Sequence, residues 1–260
     1  MEISTDAISK VFGRSYFDLT TVDGIFTPHT DIQQPLTPEG ILLEQARLRG
    51  EFPIFRTCST PGGSPLTMHR MVQSLQEWFT ENGHGKILYD TGRYQDEALF
   101  MEDTPRPGLV FVSREPVKGS TRKNYWQQTQ LIAEDIDRLF EGREMPGLYR
   151  DGLDEWTKEK ARLEKILTSD WRGAAKGLAE LQINQELREK PVEALQSILV
   201  PFRSTGERRL QDMLTWTNAI SSGGFLVNLG CFYPLGAYVG DWGPDRDASS
   251  LGVCLSRRFI

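Results

Sequence analysis

Histidines, cysteines and carboxylates are the first residues to consider for chemistry in this chain of 260 residues. The three histidines are His29, His69 and His84, and no two have the i,i+4 spacing of a helical metal motif. His69 lies in a strongly amphipathic segment, which favours a structural role. His29 precedes Thr30 and Asp31 but has no partnered nucleophile in the sequence. The sequence therefore predicts no catalytic residue, no metal site and no cofactor.

Five carboxylates lie close together between two predicted strands: Asp90, Asp96, Glu97, Glu102 and Asp103. Clustered carboxylates can bind a divalent cation, but this spacing is not that of an EF-hand, and a solvated acidic loop is favoured. The chain also lacks a phosphate-binding P-loop and a Gly-x-Ser-x-Gly nucleophile motif. An enzyme, hydrolase-like, with its active site in the N-terminal half near His29, Asp90 or Asp96 is the alternative hypothesis.

Charge and hydropathy exclude several classes of partner. The net charge is −6, and no long Lys/Arg run is present, so no nucleic-acid partner is expected. No stretch of 18 apolar residues occurs, which predicts no membrane insertion. The first ten residues carry no signal-peptide pattern, which leaves an intracellular or virion-associated location open. Cys58, Cys231 and Cys254 are too few for a disulfide framework, although a Cys231–Cys254 pair is left open.

Residues 214–260 differ in composition from the rest of the chain. They contain no Glu, Lys, Gln or Met, whereas residues 1–213 contain 48 residues of these four types. Gly, Ser, Asp, Tyr and Phe stand between short β-type segments instead. Composition alone leaves two explanations open: a sheet with glycine-rich turns, or a surface built for binding, in which Tyr and Trp supply contact area and Ser and Gly adapt.

The hydrophobic pattern predicts helices first and a sheet afterwards. Apolar residues recur every three or four positions in segments that predict amphipathic helices. These helices begin at Thr37-Pro38, Ser64-Pro65, Asn124, residue 152 and Pro191, with a further turn or two in 174–188. Strands are predicted around Asp23-Gly24 and at 52–58, 86–92 and 108–115, then at 214–217, 225–229, 237–242 and 251–258. The predicted class is α+β, with an antiparallel sheet at the C-terminal end.

Four of the C-terminal segments also carry a family resemblance: LTWT at 214–217, LVNLG at 226–230, AYVGDW at 237–242 and LGVCLSRR at 251–258. They resemble the variable region of proteins diversified by diversity-generating retroelements, which have a C-type lectin fold. In that family a reverse transcriptase miscopies adenines, usually in Asn codons. Changing the first two bases of such a codon cannot produce Glu, Lys, Gln, Met or Trp. The resemblance thus gives the four missing residue types a cause and implies that Trp216 and Trp242 belong to the scaffold.

The resemblance implies a domain organisation and a division of residues. Residues 1–105 form an N-terminal region of unknown role, and 106–260 form a C-type lectin-like ligand-binding domain with helices packed on a small antiparallel sheet. Its variable region spans about 214–260. The implied ligand-binding residues are Phe225, Asn228, Cys231, Tyr233, Pro234, Leu235, Tyr238, Gly240, Asp241, Gly243, Asp245, Arg246, Asp247, Ala248 and Ser249. The implied scaffold residues are Leu226, Val227, Gly230, Phe232, Gly236, Val239, Trp242, Leu251, Val253 and Arg257.

The expected function is therefore ligand recognition without catalysis. The partner would be a macromolecule, either a protein or another cell-surface ligand, and a structural phage or surface component is a further alternative. This hypothesis predicts that positions 233–235 and 243–249 are exposed and share one face with Tyr238.

Overall fold

A computed structural model describes residues 5–26, 40–60 and 63–258. The helices are α1 (Thr5–Phe12), α2 (Leu19–Phe26), α3 (Gly40–Leu48), α4 (Met68–Glu81), α5 (Ala98–Met101), α6 (Tyr125–Leu139), α7 (Gly147–Ile166), α8 (Trp171–Glu180), α9 (Gln182–Leu187) and α10 (Pro191–Thr205). The strands are β1 (Glu51–Arg56), β2 (Gly108–Ser113), β3 (Leu214–Ile220), β4 (Leu226–Tyr233), β5 (Gly236–Trp242), β6 (Leu251–Gly252) and β7 (Ser256–Arg257). The predicted α+β class is confirmed.

The described strands form two sheets. One has the order β1-β2-β7 and is antiparallel, with Glu51 opposite Ser113 and Phe111 opposite Arg257. The other has the order β5-β4-β3-β6, in which only the β3–β6 pair is parallel. Because β1 pairs with β2 along its whole length, the three-stranded sheet joins the N-terminal region to the middle and the end of the chain.

Helix α10 lies at the centre of the structure. Every residue from Pro191 to Phe202 is buried, and the helix contacts β1, β3 and β4 as well as α2, α4 and α5. Pro201 lies inside the helix, so it cannot donate the usual hydrogen bond to the carbonyl of Ser197. Arg209 Nη1 donates to that carbonyl instead, at 2.6 Å. The helix therefore continues past the proline and ends at Gly206, whose φ is +79°.

Buried ion pairs attach α10 to the three-stranded sheet. Arg56 of β1 is fully buried and binds the carboxylate of Glu189 just before α10. Its other guanidinium nitrogen donates to Ser256 Oγ of β7 at 3.0 Å and lies 3.5 Å from Glu193. Arg106 donates to Glu193 Oε1 through both its backbone N–H and Nε, each at 2.9 Å. The two guanidinium groups thus neutralise carboxylates that have no access to water.

Several secondary-structure expectations differ from the structure. The strand predicted at 251–258 is instead two short strands, β6 and β7, in different sheets. The segment around Asp23-Gly24 is helical and not a strand pair, because the Asp18 carboxylate accepts from the backbone N–H of Thr21 at 2.8 Å and caps α2. Residues 86–92 form no regular strand, and only Leu88 makes a bridge, to Ala237. The turn or two expected in 174–188 is two helices, α8 and α9. The helix predicted at Asn124 does begin there, with a full capping box.

Substitution of Glu193 tests how far stability depends on the buried ion pairs. Burial alone would raise the pKa of Glu193, but Arg56, Arg106 and the hydrogen bonds to its carboxylate lower it from the ordinary value of 4.5 to about 2. A depressed carboxylate pKa contributes stability above pH 4.5 that is lost as the pH falls towards 2. We expect Glu193→Gln to lower the free energy of unfolding at pH 7 by about 3–5 kcal/mol, since it leaves the buried Arg56 and the partly buried Arg106 undercompensated.

The measurement is urea unfolding between pH 7 and pH 2. Stability of the parent protein should decline more steeply with acidification than that of Glu193→Gln. The matched control is Glu159→Gln, which removes an exposed pair with Arg162 at 2.6 Å on α7 and should change stability by no more than about 1 kcal/mol. Equal effects of the two substitutions would contradict the role given to Glu193.

Candidate functional site

The β4–β5 hairpin carries most of the residues implicated in binding, and alternate side chains hold it in place. Val227 and Leu229 of β4 pack into the large core around α10, together with Val239 of β5. Leu226 packs on the opposite side, in a helix-covered core that also holds Trp216 of β3. Strand β4 is therefore covered on both faces, whereas β5 is an edge strand.

Residues 86–89, which precede α5, form backbone hydrogen bonds with the start of β5. The Leu88–Ala237 bridge is flanked by two backbone hydrogen bonds, from Ala237 N–H to the Ile87 carbonyl at 2.8 Å and from Tyr89 N–H to the Ala237 carbonyl at 3.0 Å. Gly236 has φ +107°, and a Cβ there would lie 2.3 Å from the carbonyl carbon of Leu88. Only glycine allows the two backbones to approach so closely. Residues 86–89 thus fix the β4–β5 turn.

Four of the implicated residues lie at this turn. Tyr233, Pro234 and Leu235 are exposed, and Leu235 has 67% of its surface accessible. Tyr233 Oη donates to the carboxylate of Asp212 at 2.5 Å, and this hydrogen bond raises the pKa of the phenol. Cys231 is half-buried, with a positive φ of 47°, at an irregularity in the β4–β5 pairing. The turn therefore presents an aromatic and an aliphatic side chain on a constrained backbone.

A second group lies in the loop after β5. Asp245, Arg246, Asp247 and Ser249 are exposed, while Gly243 and Ala248 are half-buried. The loop is attached by backbone hydrogen bonds from Tyr125 N–H to the Pro244 carbonyl at 3.1 Å and from Arg122 N–H to the Ala248 carbonyl at 2.9 Å. The Arg246 guanidinium lies 5.4 Å from the centre of the Trp242 ring. Anchored at both ends, this loop displays charged and hydroxyl side chains.

Phe225 extends this end of the hairpin towards α8. Its ring stacks on that of Trp171, with centroids 4.5 Å apart, and the guanidinium of Arg172 lies 4.2 Å from the Trp171 ring centre. The three side chains form a stack of a cation and two aromatic rings beside the turn that joins β3 and β4. Trp171 and Arg172 lie outside the variable region, and no pattern in the sequence distinguished them from ordinary helix residues.

The middle of β5 contributes Tyr238, Gly240 and Asp241. Tyr238 is half-buried, and its ring lies over Gly240, where a Cβ would be 2.4 Å from Tyr238 Cε1. Ser221 Oγ donates to Asp241 Oδ2 at 2.7 Å. The guanidinium of Arg93, on the loop before α5, lies 3.7 Å from Asp241 Oδ1. Asp241 is therefore positioned by residues from two other segments.

Two of the fifteen residues expected in the binding site are buried and not displayed. Asn228 has no exposed surface, because its register places it between Trp216 of β3 and Gly240 of β5 on the helix-covered face. Neither its amide nitrogen nor its amide oxygen has a hydrogen-bond partner within the described residues. Gly240 is buried beneath Tyr238. The expectation that these two positions face a ligand is thereby corrected.

The remaining residues form two groups instead of one continuous cluster. The 231–235 group lies where β5 begins, and Phe225 and the 243–249 group lie where it ends, since Leu226 is opposite Trp242. The seven residues of β5 separate the two groups by about 20 Å, at about 3.3 Å per residue. Tyr238 lies between them. A partner that contacts both groups must therefore span the length of the strand.

The candidates for chemistry are dispersed. His69 packs edge-on against Phe100, and His84 lies in an aromatic cluster with Trp78 and Phe202, while His29 lies outside the described residues. Among the acidic residues, Glu97 accepts hydrogen bonds from Ser222. In the described ranges no group of three or more His, Cys, Asp or Glu side chains is arranged to hold a metal ion.

The cysteines and the helices resolve two further questions. Cys231 and Cys254 are free thiols, so the pairing that the sequence left open is absent. Of the helices that the structure describes, none is long and apolar enough to cross a membrane.

No protein-family model, curated protein or solved structure matches the chain.

Asn228 offers a test of whether this position serves stability or binding. Replacing it with Val, which is wholly apolar and only slightly larger, removes a buried amide whose polar atoms are unpaired. We expect Asn228→Val to raise the free energy of unfolding by about 1 kcal/mol, measured by urea denaturation. The control is Asn124→Val, which removes the cap of α6 and should destabilise by about 1 kcal/mol. A loss of stability in Asn228→Val would contradict the expectation that the amide is unpaired.

The two glycines of β5 give a second test, of which glycine is required by the close approach of a neighbouring backbone. Gly236→Ala places a Cβ against backbone atoms at a positive φ, and we expect a loss of about 1–3 kcal/mol or more. Gly240→Ala meets only the far end of the half-exposed Tyr238 side chain, which can move, so a change within about 1 kcal/mol is expected. Thermal unfolding of both variants measures the difference, and the reverse order would contradict the assignment.

Proposed function

We propose that the chain is a non-enzymatic recognition protein, in which a C-type lectin-like scaffold over residues 106–260 displays a diversified surface from about 214–260. The observation that carries the proposal is the contrast along the β4–β5 hairpin and the loop after it. Leu226, Phe232 and Leu251 are buried, whereas the intervening Tyr233, Leu235, Asp245, Arg246 and Ser249 are exposed. Substitutions at the exposed positions therefore leave both cores intact.

The arrangement of the sheets supports the lectin-like part of this proposal. Strand β7, near the end of the chain, pairs with β2, so the two ends of the 106–260 region meet in one sheet. The helices α6 to α10 lie between β2 and the second sheet in the chain order. An opening strand, then helices, then the strands of 214–260 is an order that fits the lectin-like domain implied for 106–260.

The proposed mechanism is shape and hydrogen-bond complementarity to a macromolecular partner. Aromatic side chains contribute large contact area at low entropic cost, and Tyr233, Tyr238 and Phe225 are the candidate anchors. The charged loop at 245–247 would form the polar rim and set electrostatic preference. A partner that spans both groups buries a strip about 20 Å long, which suits a protein surface better than a small molecule.

A genomic comparison tests the diversification. We expect a near-repeat of the coding sequence for the last 47 residues, next to a reverse-transcriptase gene, that differs only at template adenines. The differences should fall at codons for the exposed positions, such as Tyr233 and Asp245, and not at codons for Leu226 or Leu251. Absence of such a repeat would remove the support for diversification.

A pair of libraries tests the display of the surface. One randomises six exposed positions: Tyr233, Leu235, Asp245, Arg246, Asp247 and Ser249. The other randomises six buried positions: Leu226, Leu229, Phe232, Val239, Leu251 and Val253. Most members of the first library should remain folded, because exposed substitutions usually change stability by less than about 0.5 kcal/mol. Most members of the second should not, because they disrupt buried cores.

Binding is then selected from the first library on the surface of yeast, against a panel of unrelated folded proteins. The proposal predicts enrichment of specific binders whose binding is lost when the six positions are restored to the parent residues. Failure of the first library to fold, or failure to yield any binder across the panel, would count against a recognition surface at these positions.

A further inference from the structure

Exposed large apolar side chains are concentrated at one end of β5. Among the described residues, the large apolar side chains with more than a third of their surface accessible are Leu48, Tyr89, Met101, Tyr233 and Leu235. Tyr233 and Leu235 belong to the β4–β5 turn, and Tyr89 belongs to the segment 86–89 that is hydrogen-bonded to it. Apolar side chains that cluster on a surface, instead of being scattered singly, mark an interaction site.

The backbone that carries these side chains is held by several contacts. The Lys86 N–H donates to the Pro234 carbonyl at 2.9 Å, and a Cβ at Gly85 would lie 1.8 Å from the same oxygen. The Tyr89 N–H donates to the Ala237 carbonyl at 3.0 Å. Because the backbone is ordered before a partner binds, binding loses little conformational entropy.

Two half-buried guanidinium groups lie beside the same turn. Arg203 lies over the Trp78 ring, 4.1 Å from its centre, and forms no ion pair in the described part of the chain. Arg208 lies 4.7 Å from the ring centre of Phe232, the residue before the exposed turn, and donates to the His84 carbonyl at 3.0 Å. The Trp78 and His84 rings, with centroids 4.9 Å apart, connect the two guanidinium groups.

The carboxylates closest to Arg208 in the sequence bind other residues. Glu207 pairs with Arg114, and Asp212 accepts a hydrogen bond from Tyr233. Burial lowers the pKa of Arg208, but a guanidinium stays protonated at neutral pH. A guanidinium stacked on a ring can still bind a carboxylate through two parallel hydrogen bonds. An acidic side chain from a partner would therefore supply the counter-charge that this end of the chain lacks.

We propose that this end of β5 is a docking surface for an acidic, partly apolar segment of a partner protein. The turn-end surface consists of Trp78, Tyr89, Arg203, Arg208, Tyr233 and Leu235. Trp, Tyr and Arg are the residue types that most often dominate the binding energy of protein interfaces, and this surface contains all three. That the segment belongs to the macromolecule bound by the diversified positions rests on the proposed function, whereas the docking surface itself does not.

The turn-end surface combines residues from inside and outside the variable region. Tyr233 and Leu235 lie inside it, whereas both arginines, Trp78 and Tyr89 lie outside. Substitutions at positions 233 and 235 would change the apolar fit, while the preference for an acidic partner would stay. The turn at the start of β5 is therefore the main contact, and the 243–249 loop at its other end is the lesser one.

A library of short random peptides displayed on phage, selected against the full chain, tests the proposal. Enriched peptides should contain both carboxylates and large apolar side chains, and their binding should weaken as salt is added. Enrichment of neutral or basic peptides, or no enrichment at all, would overturn the proposal. So would tighter binding of a single-stranded oligothymidine than of the enriched peptides, since it would indicate a nucleic-acid partner.

Apolar variants locate the docking surface. Leu235→Ala and Tyr89→Ala should each weaken the binding of an enriched acidic peptide by at least about tenfold, measured by calorimetry, because each removes an anchor. Leu48→Ala is the matched control, because Leu48 on α3 is 71% exposed and Leu235 is 67% exposed. If Leu48→Ala weakens binding as much as Leu235→Ala does, the location is wrong.

A charge variant identifies the acidic preference. Arg203→Gln should weaken binding of the same peptide by about tenfold and reduce its dependence on salt. Arg70→Gln is the matched control, because it removes the same charge from an exposed position at the other end of α4. Thermal unfolding confirms that each variant is folded. If Arg203→Gln binds as tightly as the parent protein, the assignment to an acidic segment is wrong.

The two proposals fail in different ways. If peptides bind to the turn-end surface but no template repeat or library binder is found, the docking surface stands and diversified recognition fails. If library binders are found whose affinity is unchanged by Tyr89→Ala and Arg203→Gln, only the turn-end surface fails.

Discussion

The burial of charged side chains around α10 is the constraint on which the rest of the structure depends. Arg56 and Arg257 are almost completely inaccessible to water, and each is paired with carboxylates from other segments. Arg257 of β7 binds Glu51 of β1 and lies 3.4 Å from Asp135 of α6. Desolvating such groups is costly unless every charge is compensated. The pairs therefore form together only when β1, β7, α6 and α10 have reached their final positions.

This constraint extends to the C-terminal hairpin. Arg209, which follows α10, donates to the carbonyls of Ser197 and Ser113 and so joins the helix to β2 immediately before β3 begins. At the other end of the variable region, β7 completes the three-stranded sheet. The segment between them is thus attached at both ends to the three-stranded sheet, through Arg209 at β2 and through β7. The exposed side chains of the β4–β5 hairpin take no part in these contacts.

The hairpin also shows how one strand supports two kinds of surface. Tyr238 lies over the buried Gly240 on one side of β5, while Val239 on the other side contributes to the core and to the wall of a small cavity between β5 and the start of α5. Asp241, also on β5, lines the cavity, where its carboxylate accepts a hydrogen bond from Ser221 and lies 3.7 Å from the Arg93 guanidinium. The cavity and the exposed strip proposed for recognition therefore meet at the edge strand.

Several features of this arrangement were accessible from the sequence. Asn124 and Pro191 marked the beginnings of α6 and α10, because capping and proline preferences act within one turn of helix. The alternation in residues 251–255 predicts a half-buried strand, but all five residues are buried and only 251–252 belong to a strand. The segment 19–26 was mispredicted, because the cap from Asp18 outweighs the β preferences of Val22 and Ile25.

The sequence by itself determined the α+β class, most of the helices and the unusual composition of residues 214–260, because these depend on local pattern and residue type. Only the tertiary structure decided that Asn228 is buried, since its burial depends on what covers both faces of β4. It likewise decided that the exposed residues form two groups at the ends of β5. The cavity beside Tyr94 and Asp241 brings together residues 147 positions apart in the chain. No local pattern encodes such contacts, because they arise from the packing of elements that are distant in sequence.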